Sequence, residues 1–250
     1  MNVDVMPGCE AFSANGSAMG VLVLHGFTGN PASMRSIAER CATAGYTVEL
    51  PRLPGHGTSV EDMMTTSWAD WSGAALAAYD ELASRTERVA IVGLSMGGGL
   101  TAYVAEERPE VAGCVFINPL VKSPGPEMEE GLAQALEAGI ESIESIGSDI
   151  KKAGVTEASY PATPLGCVVS LFHGVNSVEA NLSKIVVPSL LLSSREDHVV
   201  TSDNGDAIVE RSSGPVDRIW LEESYHVATM DNDKEVLEAA TLEFLSKVLV

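Results

Sequence analysis

One stretch, residues 89–99, limits the possible folds of this chain more than any other. It reads Val-Ala-Ile-Val-Gly-Leu-Ser-Met-Gly-Gly-Gly, so an apolar β-branched run leads directly into the pattern Gly-x-Ser-x-Gly. The run is typical of a strand buried on both faces, and residues 101–107 have helical composition. The sequence therefore predicts that Ser95 lies in a sharp turn between a strand and a helix.

Such a turn, a nucleophile elbow, projects the serine hydroxyl from the carboxyl edge of a sheet. The serine backbone is held in a strained conformation, and Gly93 and Gly97 leave the space that this turn needs. The N–H of Met96, at the start of the helix, is expected to point at the oxygen that becomes negative during acyl transfer. A chain with 23 glycines can match this motif by chance. The interpretation therefore depends on a base, an acid and a second oxyanion donor elsewhere.

The segments around the elbow alternate between strand and helix patterns. The predicted strands are at residues 21–24, 46–50, 89–92, 111–117, 186–193 and 218–221. The predicted helices are at residues 31–44, 67–85 with Ser67 as the cap, 101–107, 203–211, and a closing helix capped by Asn232. This alternation implies right-handed crossovers and a mostly parallel central sheet flanked by helices, which is the α/β class.

The alternation breaks down between about residues 124 and 181. We interpret residues 123–181 as an inserted helical cap, and residues 1–122 and 182–250 as the core. Seven apolar residues at steps of three or four predict a helical stripe in the cap, Met128, Leu132, Leu136, Ile140, Ile143, Ile146 and Ile150. The stripe either packs the cap onto the core or lines a channel for an apolar acyl group. Gly139 and Gly147 are expected to bend or break the helices.

The position of each histidine reduces five candidates for the base to one. In a chain with an elbow serine, the acid and then the base follow the nucleophile. His25 and His56 precede Ser95, His173 lies in the insertion, and His198 follows the candidate acid directly. Only His226 lies on a loop after the last strand, from which an imidazole can reach Ser95.

The acid and the second oxyanion donor are placed by the same reasoning. Asp197 lies at the end of the penultimate strand and Glu196 precedes it, and in an extended segment only one of the two can face the histidine. The residue pattern leaves both open. Phe27, in the glycine loop 25–29 after an early strand, is the expected second donor.

These groups predict acyl transfer through a covalent intermediate. His226 accepts the proton of Ser95, the serine attacks an ester carbonyl, and two amides hold the oxyanion. A serine nucleophile argues against dehalogenase and epoxide hydrolase chemistry, which needs a carboxylate. No metal or organic cofactor is expected, since the histidines and cysteines lack zinc-ligand spacing.

The composition limits the partners and the compartment. Fifteen basic and 35 acidic residues give a formal charge of -20, which repels nucleic acid and anionic lipid headgroups. Four separate cysteines (Cys9, Cys41, Cys114 and Cys167) indicate free thiols in a reducing compartment. Residues 1–4 show no signal peptide, and no stretch is long and apolar enough to span a membrane. We expect a soluble cytoplasmic protein that makes at most transient contact with lipid. The sequence does not indicate its oligomeric state.

Several motifs along the chain closely resemble those of the bacterial monoacylglycerol lipases and related thermostable carboxylesterases of the α/β-hydrolase superfamily. The matching segments are residues 25–29, 51–57, 93–98, 145–149, 196–200 and 224–229. The resemblance implies the α/β-hydrolase fold, a mobile cap over an apolar acyl tunnel, and a small polar pocket for glycerol.

The resemblance also implies a role for individual residues. It gives Ser95, Asp197 and His226 as the catalytic triad and Phe27 and Met96 as oxyanion donors. In the cap, Glu157 resembles the carboxylate that contacts the glycerol hydroxyls, and Ile146 resembles a wall residue of the tunnel. The implied function is hydrolysis of monoacylglycerols to glycerol and fatty acid. The alternatives are a broad short-chain carboxylesterase and, more remotely, a non-catalytic ligand-binding homologue.

Overall fold

The computed structural model describes residues 4–250. Residues 1–3, on which most of the signal-peptide prediction rests, lie outside the described part. The strands are Phe12–Ala14 (β1), Met19–Leu24 (β2), Thr47–Leu50 (β3), Arg88–Leu94 (β4), Gly113–Ile117 (β5), Ser142–Glu144 (β6), Ala162–Pro164 (β7), Ser189–Ser194 (β8) and Val216–Leu221 (β9). The α-helices are Pro31–Thr43 (α1), Val60–Met63 (α2), Trp68–Ser84 (α3), Met96–Glu107 (α4), Pro126–Glu137 (α5), Leu165–Asn181 (α6), Asp203–Arg211 (α7) and Lys234–Val248 (α8).

Seven strands form one sheet in the order β1-β3-β2-β4-β5-β8-β9. All neighbours are parallel except β1 and β3. Leu24 pairs with Gly93, Leu94 pairs with Ile117, and Ile117 pairs with Leu192. The carboxyl ends of four central strands therefore lie along one edge, and the loops that follow them meet there. The predicted α/β-hydrolase fold with a mostly parallel sheet is confirmed.

Helices cover both faces of this sheet, which explains the nearly continuous apolar runs of its strands. Within β2, Leu22 and Leu24 face one core and Val21 and Val23 face the other. The first core is closed by α3, α4 and α6, and the second is closed by α1 and α8. Alternate side chains thus enter opposite cores, and the site edge rests on a sheet that is packed from both sides.

The insertion between β5 and β8 differs from the predicted run of helices. The insertion contains two α-helices, α5 and α6, and α5 ends before Gly139, whose φ of 82° breaks it as expected. Ile143 lies in β6, which pairs with β7, rather than on a helix, so the continuous helical stripe was a wrong prediction. α6 packs against the first core through Leu171 and Val175. The division at residues 123 and 181 stays a prediction.

Local signals placed both ends of α1, α3 and α7 to within one residue, whereas α4 begins at Met96, five residues before the predicted helix. Ser67 and Asp70 form a capping box at the start of α3, in which Asp70 accepts the Ser67 N–H at 2.9 Å. The closing helix begins one residue later than predicted, after Asp233 instead of Asn232. The sequence analysis missed β1 and α2, which are three and four residues long. Among residues 4–250, no helix combines the length and apolarity that a membrane span requires.

Candidate active site

Ser95 lies at the junction of β4 and α4 with φ 58° and ψ -121°, as an elbow requires. This conformation is possible because the chain around it is packed backbone against backbone. A Cβ on Gly93 would lie 2.1 Å from the carbonyl oxygen of Gly97, and a Cβ on Gly97 would lie 2.2 Å from that of Leu24. No side chain fits at either glycine, so the motif reflects packing as well as chain flexibility.

The loop after β2 passes directly over the serine. A Cβ on Gly26 would lie 3.2 Å from Ser95 Cβ. Phe27 follows in this loop, and Met96 opens α4, and neither of their N–H groups donates to an acceptor among the described residues. Two free amides therefore flank Ser95, one of them at a helix N-terminus, where a negative oxygen is favoured.

Two buried histidines support this loop. His25 lies within hydrogen-bonding distance of the Gly26 carbonyl (Nδ1, 3.0 Å) and accepts the Leu53 N–H (Nε2, 3.1 Å). Its ring centroid lies 5.1 Å from that of His56. Burial lowers the pKa of His25 to about 3 and that of His56 to about 4. Both rings are neutral near pH 7 and serve as packing and hydrogen-bonding groups, which fits their exclusion as bases.

In the loops that follow β8 and β9, His226 Nδ1 lies 2.8 Å from Asp197 Oδ2. The other oxygen of Asp197 accepts the N–H groups of Val199 and Val200 at 2.9 and 2.8 Å. Both members of this pair are buried, with side chains 8% and 5% exposed. Glu196, the alternative acid, is 58% exposed and pairs with Lys151 at 3.7 Å. The structure therefore brings Asp197, and not Glu196, to the imidazole.

Ser95 and His226 are connected through Asn118, the residue after β5. Asn118 Nδ2 donates to the carbonyl of His226 at 2.8 Å and to Ser194 Oγ at 2.9 Å, and its Oδ1 accepts the Ser194 N–H at 2.7 Å. The strand that precedes Asn118, β5, also accepts the Ser95 N–H, through the Ile117 carbonyl at 3.0 Å. Ser95 Oγ itself makes no hydrogen bond to the imidazole in this structure. Such bonds commonly tighten only when substrate is present.

The cap residues named from the resemblance lie in different environments. Glu157 is partly buried beside the loop after β2, where a Cβ on Gly29 would lie 2.8 Å from its Oε1. Burial raises the pKa of its carboxyl, while a hydrogen bond with Ser33 and the proximity of His226 lower it. Ile146 is 75% exposed, on the segment after β6. Glu157 is thus brought to the site, and Ile146 lies at the surface of the insertion.

Sequence reasoning missed three polar residues that hold the site together, Asn118, Asp149 and Asp231. Asn118 has one detectable signal, its position after a buried strand, and it adopts a φ of 39°. Asp149 and Asp231 make their contacts across long sequence separations, such as the 77 residues between Asp149 and His226. Among the described residues, no group of three His, Cys, Asp or Glu side chains is arranged to hold a metal ion.

Comparison with known proteins places this geometry in a family. Residues 17–233 match the family model described as serine aminopeptidase, S33. The chain belongs to this family of α/β-hydrolases. It is 42% identical to a thermostable monoacylglycerol lipase of Bacillus sp. strain H-257 over 97% of this chain and 96% of that protein. Membership confirms the predictions of a hydrolase and of a carboxylic ester hydrolase.

Two further relatives extend the comparison. A carboxylesterase of Bacillus subtilis strain 168 is 27% identical over 96% of this chain and 97% of its own length. A solved structure from a study of two metagenome-derived lipolytic enzymes, LipS and LipT, superposes with a TM-score of 0.93 at 43% identity. That superposition covers 98% of this chain and all of the other. The similarity therefore includes the insertion as well as the sheet.

Proposed function

We propose that this enzyme hydrolyses monoacylglycerols to glycerol and fatty acid through Ser95, His226 and Asp197 and an acyl-enzyme intermediate. The observation that carries the proposal is the 2.8 Å contact between Asp197 and His226 at the sheet edge where the elbow presents Ser95. The 42% identity to a monoacylglycerol lipase supports the substrate class.

In the proposed mechanism, each group acts at one atom. Asp197 accepts a hydrogen bond from the Nδ1–H of His226, which favours the tautomer whose Nε2 is unprotonated and can take the proton of the Ser95 hydroxyl. The serine oxygen attacks the ester carbonyl, and the N–H groups of Phe27 and Met96 stabilise the negative oxygen. The imidazolium then returns the proton to the departing alcohol, and a water molecule repeats the sequence to release the acid.

The two cap residues are proposed to select the two parts of the substrate. Glu157 lies beside the loop that carries Phe27, and the proximity of His226 lowers the pKa of its carboxyl against the effect of burial. We assign it to the hydroxyls of the glycerol moiety. Ile146 is assigned to the apolar acyl side, where an exposed side chain can contact a bound chain.

A broad short-chain carboxylesterase is the second candidate, and the full-length similarity to the Bacillus subtilis carboxylesterase favours it. Both candidates use the same triad, so the alcohol and the acyl length separate them. The buried and separate cysteines support a reducing compartment, and we propose the cytoplasm.

The test is turnover of a long-chain monoacylglycerol and of a short nitrophenyl ester by the wild type and by Ser95→Ala. We expect both activities to fall by about 10⁴-fold or more in the variant, because the nucleophile is lost. Ser84→Ala, which changes an exposed helix serine, is the matched control and should retain full activity. Undiminished turnover in Ser95→Ala would reject the mechanism. Clear preference for the short ester would favour the second candidate.

A further inference from the structure

The insertion returns to the core at residues 149–152 and contacts the loop that carries His226. Two carboxylates make this connection. Asp231, which is fully buried, accepts the N–H groups of Lys151 and Lys152 at 2.7 and 2.8 Å, and that of Tyr225 at 2.8 Å. It thereby fastens the insertion to the loop without touching either His226 or the loop of Asp197.

Asp149 makes a different set of contacts, directly to the acid and base loops. Its Oδ2 accepts the N–H of His226 at 3.0 Å and the N–H of His198 at 3.2 Å. Its Oδ1 lies 2.8 Å from His198 Nδ1, and its backbone carbonyl accepts the Val227 N–H at 3.1 Å. Since residue 198 follows Asp197 directly, one side chain is bonded both to the base and to the neighbour of the acid.

These contacts complement those of Asn118 and Ser194. Asn118 and Ser194 hold the carbonyl groups of Tyr225 and His226 from the core side, with Ser194 Oγ donating to the Tyr225 carbonyl at 2.8 Å. Asp149 holds the N–H of His226 from the insertion side, and its side chain is only 12% exposed. Hydrogen bonds with the core and a hydrogen bond with the insertion therefore fix the backbone of His226.

We propose that Asp149 is a positioning residue, which keeps Asp197 and His226 in register and makes that register depend on the insertion being seated on the core. The proposal rests on the triad of the proposed function. A carboxylate suits this task, because it can accept several N–H groups at once and each such charge-assisted bond is stronger than a neutral one. When the insertion lifts from the core at residue 149, the backbone N–H of His226 loses its acceptor, and the imidazole is held less firmly.

The experiment measures kcat, KM and the pH profile on a nitrophenyl ester, normalised to the sites that a fluorophosphonate labels. Asp149→Ala should lower kcat on the order of 10²-fold with KM changed less than about threefold, because a small misplacement of the base costs about this much. Asp149→Asn keeps one oxygen for the two N–H groups, and its kcat should be about tenfold higher than that of Asp149→Ala. The low-field proton signal of the Asp197–His226 bond should shift or broaden in Asp149→Ala and return in Asp149→Asn.

Two control variants separate positioning from general stability. Asp231→Asn weakens the same contact between the insertion and the core, so it should lower the melting temperature at least as much as Asp149→Asn. Its fall in kcat per labelled site should be smaller. His198→Ala removes the ring that lies 2.8 Å from Asp149 Oδ1 but keeps the backbone N–H of residue 198, so it should lower kcat less than Asp149→Ala does. An equal fall of kcat in Asp149→Asn and Asp231→Asn, or an unchanged kcat and proton signal in both Asp149 variants, would overturn the proposal. Loss of activity in Ser95→Ala with no effect at residue 149 would reject this inference and leave the proposed function intact.

Discussion

The two sides of the candidate site are held in place by different physical means. On the elbow side, Gly93, Gly97 and Gly26 allow backbone to lie against backbone, and the supporting histidines are buried and neutral. On the acid and base side, the loops are held by the side chains of Asn118, Asp149, Asp197 and Asp231, through hydrogen bonds to backbone groups.

The difference shows how the two sides respond to change. Close packing tolerates no added atom, and the histidines behind the elbow are uncharged near pH 7, so the nucleophile is fixed by shape. A hydrogen-bonded loop can shift by a fraction of an ångström when one bond is lost, and its strength depends on the charge of its acceptors. The serine side is therefore expected to fail abruptly, and the histidine side gradually.

The largest effect is expected for Gly97→Ala. The new methyl group would lie 2.2 Å from the Leu24 carbonyl oxygen, so the elbow must move away from β2. We expect a loss of at least about 3 kcal/mol of unfolding free energy and nearly all activity. Chemical denaturation and ester turnover check this. Gly73→Ala, in an open position on α3, is the control and should gain about 0.5–1 kcal/mol. Wild-type activity in Gly97→Ala would show that the elbow is not fixed by packing.

A smaller effect is expected for Asn118→Ala on the polar side. The change leaves the His226 carbonyl and the Ser194 N–H without their partner, which costs about 2 kcal/mol, and kcat should fall about tenfold with little change in KM. Denaturation and steady-state kinetics provide the measurement. Asn181→Ala, an exposed asparagine with one local bond to Ser177, should change neither quantity. If both variants behave alike, Asn118 does not connect the two loops.

The elbow side is also expected to show a pH dependence of its folding stability, with no loss of activity near pH 7. Burial lowers the pKa of His56 to about 4, so between about pH 6.5 and pH 4 the unfolded chain binds a proton that the folded chain does not. The stabilising contribution of His56 is thus present above pH 6.5 and is lost as the pH falls, by about 1.4 kcal/mol per pH unit.

Burial also raises the pKa of the Glu106 carboxyl to about 8, and its effect on the pH dependence of stability has the opposite sign in the same pH range. The test therefore compares the wild type with a His56 variant, because Glu106 is present in both proteins. The unfolding free energy of the wild type should exceed that of His56→Gln most at pH 7, and the gap should narrow towards pH 4.5. A gap that stays constant with pH would show that His56 titrates normally in the folded protein.

Much of the fold follows from local patterns in the sequence. The limits of α7 were predicted to the residue, and the break at Gly139 was predicted from the glycine alone. The strand β1 was missed because an edge strand of three residues gives too short a pattern. The stripe from Met128 to Ile150 was predicted to be helical because its spacing continues past Gly139, although Ile143 lies in a strand and pairs with Thr163. Spacing alone does not record where the backbone changes conformation.

The candidate site likewise contains residues that the sequence was enough to identify and residues that it was not. Ser95 and its flanking glycines belong to one continuous motif, and chain order was enough to select His226. Asp149 could not be assigned a role from sequence, because its importance lies in which N–H groups it meets after folding. The same holds for Asn118, whose partners lie 76 to 108 residues away.

The backbone of Ser95 also limits how heat-resistant this protein can become. A non-glycine residue at φ 58° and ψ -121° costs on the order of 1–3 kcal/mol, and the rest of the fold must supply that energy. A glycine at this position would release it and remove the nucleophile at the same time. Directed evolution for thermal tolerance, if selected without an activity screen, would therefore tend to discard the catalyst first.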